Sequence, residues 1–154
     1  MRFNYSTIIV ICLFAAGVNN VAARPALLEP FTWENRLLLI FAPRHDDPRL
    51  QRQNDILDDL KPGLVDRDLV VIRLTPVTAV TVDRVPVADA TPAYFYHEFA
   101  VSYYAFAVLL IGKDGSVKLT AAAPVEAASV FDLIDAMPMR QWEMQNKGAF
   151  NNQD

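Results

Sequence analysis

Seven residues constrain this chain more than any others: Arg36 to Ala42 (RLLLIFA) are apolar after the opening arginine, with no polar alternation, and Pro43 ends the run. A strand that alternates shows one face to water, whereas an unbroken apolar run of strand length reads as buried on both faces, as in the centre of a parallel sheet. Such a strand demands covering layers on both sides. The residues that follow begin to supply them. Asp47 is a good helix N-cap and Pro48 suits the first helical position, where a missing N–H has no intrahelical partner to lose. Leu50, Leu57, Leu60 and Leu64 continue at helical spacing, and Pro62 with Gly63 predicts a stop near Lys61. A second β-rich run, Arg67 to Thr75 (RDLVVIRLT), then implies a right-handed crossover between two parallel strands.

Pro76 to Thr91 reads as a long surface loop: TAVTVD has the pattern of a short edge strand, but Pro76, Pro86 and Pro92 argue for an irregular excursion. Thr91 and Pro92 open a short helix expected to run to about Ser102. FAVLLIG and SVKLT flank KDG, and Asp114-Gly115 between apolar runs signals an antiparallel hairpin. Ala127, Val130, Phe131, Ile134 and Met137 form the stripe of a helix packed on a sheet, which Pro138 ends or kinks. The order β-α-β-α-β-β-α predicts an α/β fold of thioredoxin-like type, with a central mixed four-stranded sheet and helices on both faces.

The first 23 residues stand apart. Arg2 precedes the apolar run TIIVICLFAAGV, shorter than the roughly 20 residues of a membrane span, and Val21 and Ala23 suit the pockets of a signal peptidase. Cleavage is expected after Ala23; an uncleaved anchor is the alternative, and a lipoprotein fits poorly because Ile11 precedes Cys12. The expected divisions are a signal peptide over 1–23, an extension over 24–30, one domain over 31–145 and a tail over 146–154. Removal of the leader takes the chain's one cysteine, leaving 131 of 154 residues with 13 basic and 18 acidic side chains, a net charge of −5. The mature chain then has no disulfide, thiolate nucleophile or cysteine ligand in a compartment where disulfides persist, so its fold rests on its core. With no basic run, nucleic acid and anionic membrane surfaces are disfavoured as partners.

Four segments in this order, NRLLLIFAP, DRDLVVIRL, VLLIGKDGSVKL and LIDAMPMRQWEM, resemble a domain family of unknown function found in exported bacterial proteins. The same domain occurs in vertebrate secreted and matrix proteins of the sushi-repeat-containing and coiled-coil-domain-containing types, and is described as peroxiredoxin-like. The resemblance covers roughly Phe31 to Met144, and LIGKDG and MPMR are its most specific pieces. It implies a thioredoxin-like fold and an extracytoplasmic setting, and supplies no catalytic residue, cofactor or activity.

Laid on the thioredoxin strand-turn-helix, the two redox positions fall near His45 and Pro48, and Phe106 stands near the usual cis-proline. A thiol mechanism requires an ionisable sulfur, so redox catalysis is disfavoured. Arg44, His45, Asp46 and Asp47 form a candidate functional turn, because imidazole and carboxylates together suit zinc or general-base chemistry, with His97 and Glu98 as further members. Against that stands a plainer reading in which Asp47 caps the helix, Arg44 and Asp46 are solvated, and both histidines are surface residues. Tyr94 to Phe106 (YFYHEFAVSYYAF) holds seven of the thirteen aromatic residues of the mature chain, more than one short helix buries. Phe95, Phe99 and Phe106 are expected inside, and Tyr94, His97, Tyr103 and Tyr104 form a candidate ligand or partner surface. MPMRQWEM would suit a soft copper site only with a histidine beside it; packing is the better reading, with Arg140 and Glu143 as a local ion pair. GKDG reads as a turn.

The resulting expectation is an exported, cysteine-free module, periplasmic or secreted, most simply a non-catalytic binding domain without cofactor or metal. Its partner would be a protein, glycan or small ligand. The alternative is a metal-dependent or acid-base enzyme using His45, Asp46, Asp47 and His97.

Overall fold

Arg36–Phe41 forms β1, and all six of its residues are buried. The computed structural model describes residues 28–78, 80–83, 85–86 and 91–150. The predicted leader, Cys12 and the expected cleavage site lie outside the described residues. β1 pairs in parallel with β2 (Leu69–Leu74), from Arg36 opposite Leu69 to Phe41 opposite Leu74, and antiparallel with β5 (Ala107–Ile111), where Leu39 faces Leu109. β6 (Val117–Ala121) continues antiparallel beyond β5. The connecting turn places Gly115 at φ 76°, and the Asp114 carboxylate accepts the Ser116 N–H at 3.1 Å.

The sheet has six strands rather than the four expected, in the order β4-β3-β2-β1-β5-β6. The added pair, β3 (Thr81–Val82) and β4 (Val85–Pro86), lies within the segment read as a loop. Two-residue strands carry no periodic signal, and Pro86 is tolerated because β4 is an edge. Asp83, at φ 47°, ties this hairpin to β2: its N–H donates to the Val71 carbonyl at 2.9 Å and its carboxylate accepts the Val71 N–H at 3.2 Å.

The crossover also departs from its expected course. α1 (Pro48–Leu57) gives way to a 3-10 turn, Asp58–Leu60, and α2 (Lys61–Asp66) then runs through the predicted stop. Pro62 sits in the first turn of α2, where proline is accommodated. Gly63 serves close packing, since a Cβ there would come 2.9 Å from the Phe131 ring. α3 (Pro92–Glu98) ends before the expected Ser102. Its terminus is a Schellman motif: the Val101 N–H reaches the Tyr96 carbonyl at 2.9 Å, the Ala100 N–H reaches His97 at 3.2 Å, and Ala100 is left-handed at φ 51°. α4 (Ala127–Asp135) buries Ala127, Val130 and Ile134, as the stripe predicts. Pro138 begins α5 (Pro138–Phe150), so residues 146–150, assigned to a tail, are helical.

The alternating sides of β1 feed two cores. Leu37, Leu39 and Phe41 pack with Phe95 and Tyr96 of α3, while Leu38 and Ile40 pack with Leu50 and Leu57 of α1 and Val130 and Ile134 of α4. This two-sided covering is what the unbroken apolar run required. No helix among the described residues is long and apolar enough to cross a membrane.

Candidate functional site

The candidate turn and the aromatic segment meet at the carboxyl ends of β1 and β2, the end at which open α/β sheets commonly receive ligands. Asp47 caps α1 by accepting the Arg49 N–H at 2.8 Å, and the same carboxylate accepts Arg49 Nε at 2.9 Å and Nη2 at 2.7 Å. These Arg49 hydrogen bonds hold the Asp47 carboxyl below its ordinary range despite burial. Asp46 is likewise held low by its exposed neighbour Arg44, whose Nε donates to it at 2.8 Å. Both carboxylates are therefore engaged by arginines, and a lowered pKa makes a weaker base. His45 is exposed, as is His97 in the last turn of α3. Among the described residues no three His, Cys, Asp or Glu side chains gather as a metal-binding group.

Tyr96 joins the two segments, and the sequence reading overlooked it. Its phenol is buried and shares its single O–H between the carbonyls of Ala42 at 3.0 Å and Leu74 at 3.1 Å, the last backbone acceptors of the parallel pair. Burial pushes its pKa up to about 12, with the Ala42 hydrogen bond opposing. Its ring lies 5.0 Å edge-on from Phe41 and 4.8 Å from Tyr103. Phe106 is buried under the Arg49 guanidinium, 5.2 Å from its ring centre. Phe95 is buried and Phe99 half-buried, while Tyr94, Tyr103 and Tyr104 are exposed, Tyr104 to 89%. A hollow of about 500 Å³ opens beside this loop, with Ser102 and Ala105 on one wall and Leu109 and Thr120 of the β5–β6 pair on the other. The sequence signal for this arrangement was the density of aromatic residues from Tyr94 to Phe106, which did not mark Tyr96 as the buried one.

The opposite end of the sheet is bolted by charges that local spacing does not reveal. Arg36, 1% exposed, donates to the Arg67 carbonyl at 2.9 Å and in bidentate fashion to Glu143 of α5 at 3.1 and 3.2 Å. Lys113 bridges Glu143 at 2.8 Å and Asp68 at 2.9 Å. The local pair expected of Arg140 and Glu143 is the loosest contact here, at 3.9 Å. Arg140 instead donates to the Asp66 carbonyl at 2.7 Å and to Asp135 at 3.1 Å, and Arg67 also contacts Asp135. Burial raises the Glu143 carboxyl, but donors from Lys113 and Arg36 outweigh it and hold the group below its usual range. Lys113 of LIGKDG and Arg140 of MPMR, the two most distinctive segments, thus belong to one network.

A mixed sheet between helices, with its strand-turn-helix at the carboxyl end of β1, defines a thioredoxin-like fold. The fold resembles a reduced 2-Cys peroxiredoxin of Plasmodium vivax, with a TM-score of 0.57 and 15% identity over 74% of this chain and 83% of that one. It also resembles thioredoxin peroxidase I of Plasmodium yoelii, with a TM-score of 0.52 and 16% identity over 74% of this chain and 79% of that one. Identities this low speak for the fold alone. Residues 27–143 match the family described as Domain of unknown function (DUF4174), and the chain belongs to it. Coiled-coil domain-containing protein 80 of Danio rerio is 32% identical over 133 residues, 76% of this chain and 15% of that protein. Sushi repeat-containing protein SRPX of Homo sapiens is 28% identical over 134 residues, 84% of this chain and 29% of that protein. The chain thus matches less than a third of the length of either relative.

Proposed function

We propose that this domain is an exported, non-catalytic recognition module that binds its partner at the carboxyl end of the parallel strands. The observation that carries the reading is the loop Ser102–Phe106, which presents Tyr103 and Tyr104 to solvent beside a hollow of about 500 Å³ while Tyr96 fixes its base to the sheet. Exposed tyrosines offer large contact area at small entropic cost, and side chains anchored by buried neighbours are already organised for binding. The partner is a protein, glycan or small ligand of the extracytoplasmic space, periplasmic or extracellular. Leader cleavage after Ala23 would leave no sulfur nucleophile, and a thioredoxin or peroxiredoxin cycle has no substitute for one.

The mature protein, purified without a histidine tag, is expected to show no peroxidase or disulfide reductase activity. Crosslinking in its native compartment is expected to recover one specific partner, lost in a Tyr103→Ala, Tyr104→Ala double variant that unfolds like the parent. Turnover of peroxide, or a captured partner indifferent to both tyrosines, would refute the proposal. Stoichiometric zinc or copper that disappears in His45→Ala would replace it with the metal-dependent reading.

A further inference from the structure

The alternation of β2 sends Leu69, Val71 and Arg73 to one face of the sheet, where the first two join the core beneath α1 and α2. Arg73 continues that row with a charge. Its Nε donates to Asn54 Oδ1 of α1 at 2.6 Å, which orients the guanidinium. Among the described residues its two terminal nitrogens have no acceptor, and neither is sealed from solvent. Burial draws its pKa below the ordinary value, and only the nearby Asp83 charge pulls the other way. A groove of about 230 Å³ opens at this point, with Leu57 and Leu64 on its helical wall and Val71 as floor.

We propose that this groove binds a small organic monocarboxylate, the guanidinium fork of Arg73 receiving the carboxylate and the leucine wall receiving its apolar tail. A planar guanidinium already fixed through Nε presents two parallel N–H donors, the geometry that matches a carboxylate in bidentate fashion. Lys61 adds a second cation at the rim, while Asp58 and Asp83 line the same groove. The apolar wall of Leu57, Leu64 and Val71 beside the guanidinium favours an acid that carries an apolar tail over a fully hydrated inorganic phosphate. The volume lies below the roughly 300–1,000 Å³ of sites for drug-sized ligands, which limits the occupant to a short-chain or single-ring acid. This site lies away from the tyrosine loop and stands independently of the role proposed there.

Backbone-amide NMR shifts of the whole protein, titrated with acetate, butyrate, hexanoate, benzoate and inorganic phosphate, test the assignment. Saturable shifts are expected around Leu57, Leu64 and Arg73, with affinity rising about fourfold per buried methylene. Arg73→Gln is expected to weaken hexanoate at least tenfold. Val65→Glu places a like charge on an exposed part of the lining, where Val65 is 65% exposed, and is expected to weaken it severalfold without disturbing the fold. If Arg73→Gln does not fold, Val65→Glu decides. Absence of saturable shifts, affinity unchanged in either folded variant, equal binding of uncharged hexanol, or phosphate tighter than benzoate would each overturn the proposal.

Discussion

A single phenolic O–H joins the ends of two parallel strands, and its chemistry can be titrated. Because burial raises the Tyr96 pKa from 10.0 to about 12, the folded state holds this proton more tightly than the unfolded state. The associated stability is complete below pH 10 and is lost as pH rises through about 12; phenolate absorbance should show one tyrosine ionising late and together with unfolding. Tyr96→Phe is expected to lower unfolding free energy by about 1–3 kcal/mol in denaturant melts, since a buried carbonyl loses its donor. Asp47→Ala should cost about 1 kcal/mol through its cap, and Asp46→Ala close to nothing because the Arg44 pair is exposed. The Asp47 cap was legible beside Pro48, since capping chemistry is local. Tyr96 was not, because its acceptors lie 54 and 22 residues away.

Helix ends and strand ends show which elements the sequence could announce. β1, β2 and the β5–β6 hairpin are long enough for an apolar run or a turn residue to mark them, whereas β3 and β4 have two residues each, too few for the edge-strand pattern of TAVTVD to outweigh the prolines around it. The end of α3 was hidden for another reason: alanine occupies the left-handed position that glycine usually signals. Ala100→Gly should therefore stabilise the domain. Relief of roughly 1–2 kcal/mol of left-handed strain outweighs the added chain entropy of glycine by about 0.5–1 kcal/mol, visible as a higher melting temperature. At the far end, Glu143→Gln would leave the Arg36 guanidinium buried without its counter-charge, and about 3–5 kcal/mol of stability is expected to go with it. No spacing rule could have paired those two residues, which stand 107 positions apart.

Across the whole molecule, the sheet divides labour between an end held by charges and an end that displays aromatic side chains. Asp47, Asp135 and Glu143 all have depressed pKa values, and Asp114 falls to about 2, each under the influence of paired cations. A lowered carboxylate contributes stability that is present above its ordinary pKa and disappears as pH falls through the folded value. Stability measured by chemical denaturation should accordingly fall progressively from about pH 4 toward pH 2, where the unfolded chain already binds the protons that the folded one still refuses. The bidentate grip of Glu143 on Arg36 has one more consequence, for biosynthesis. β1 carries a cation whose partner stands 107 positions later in the chain, so a nascent or truncated chain lacking Glu143 has nothing to neutralise it, and the domain closes only once α5 has arrived.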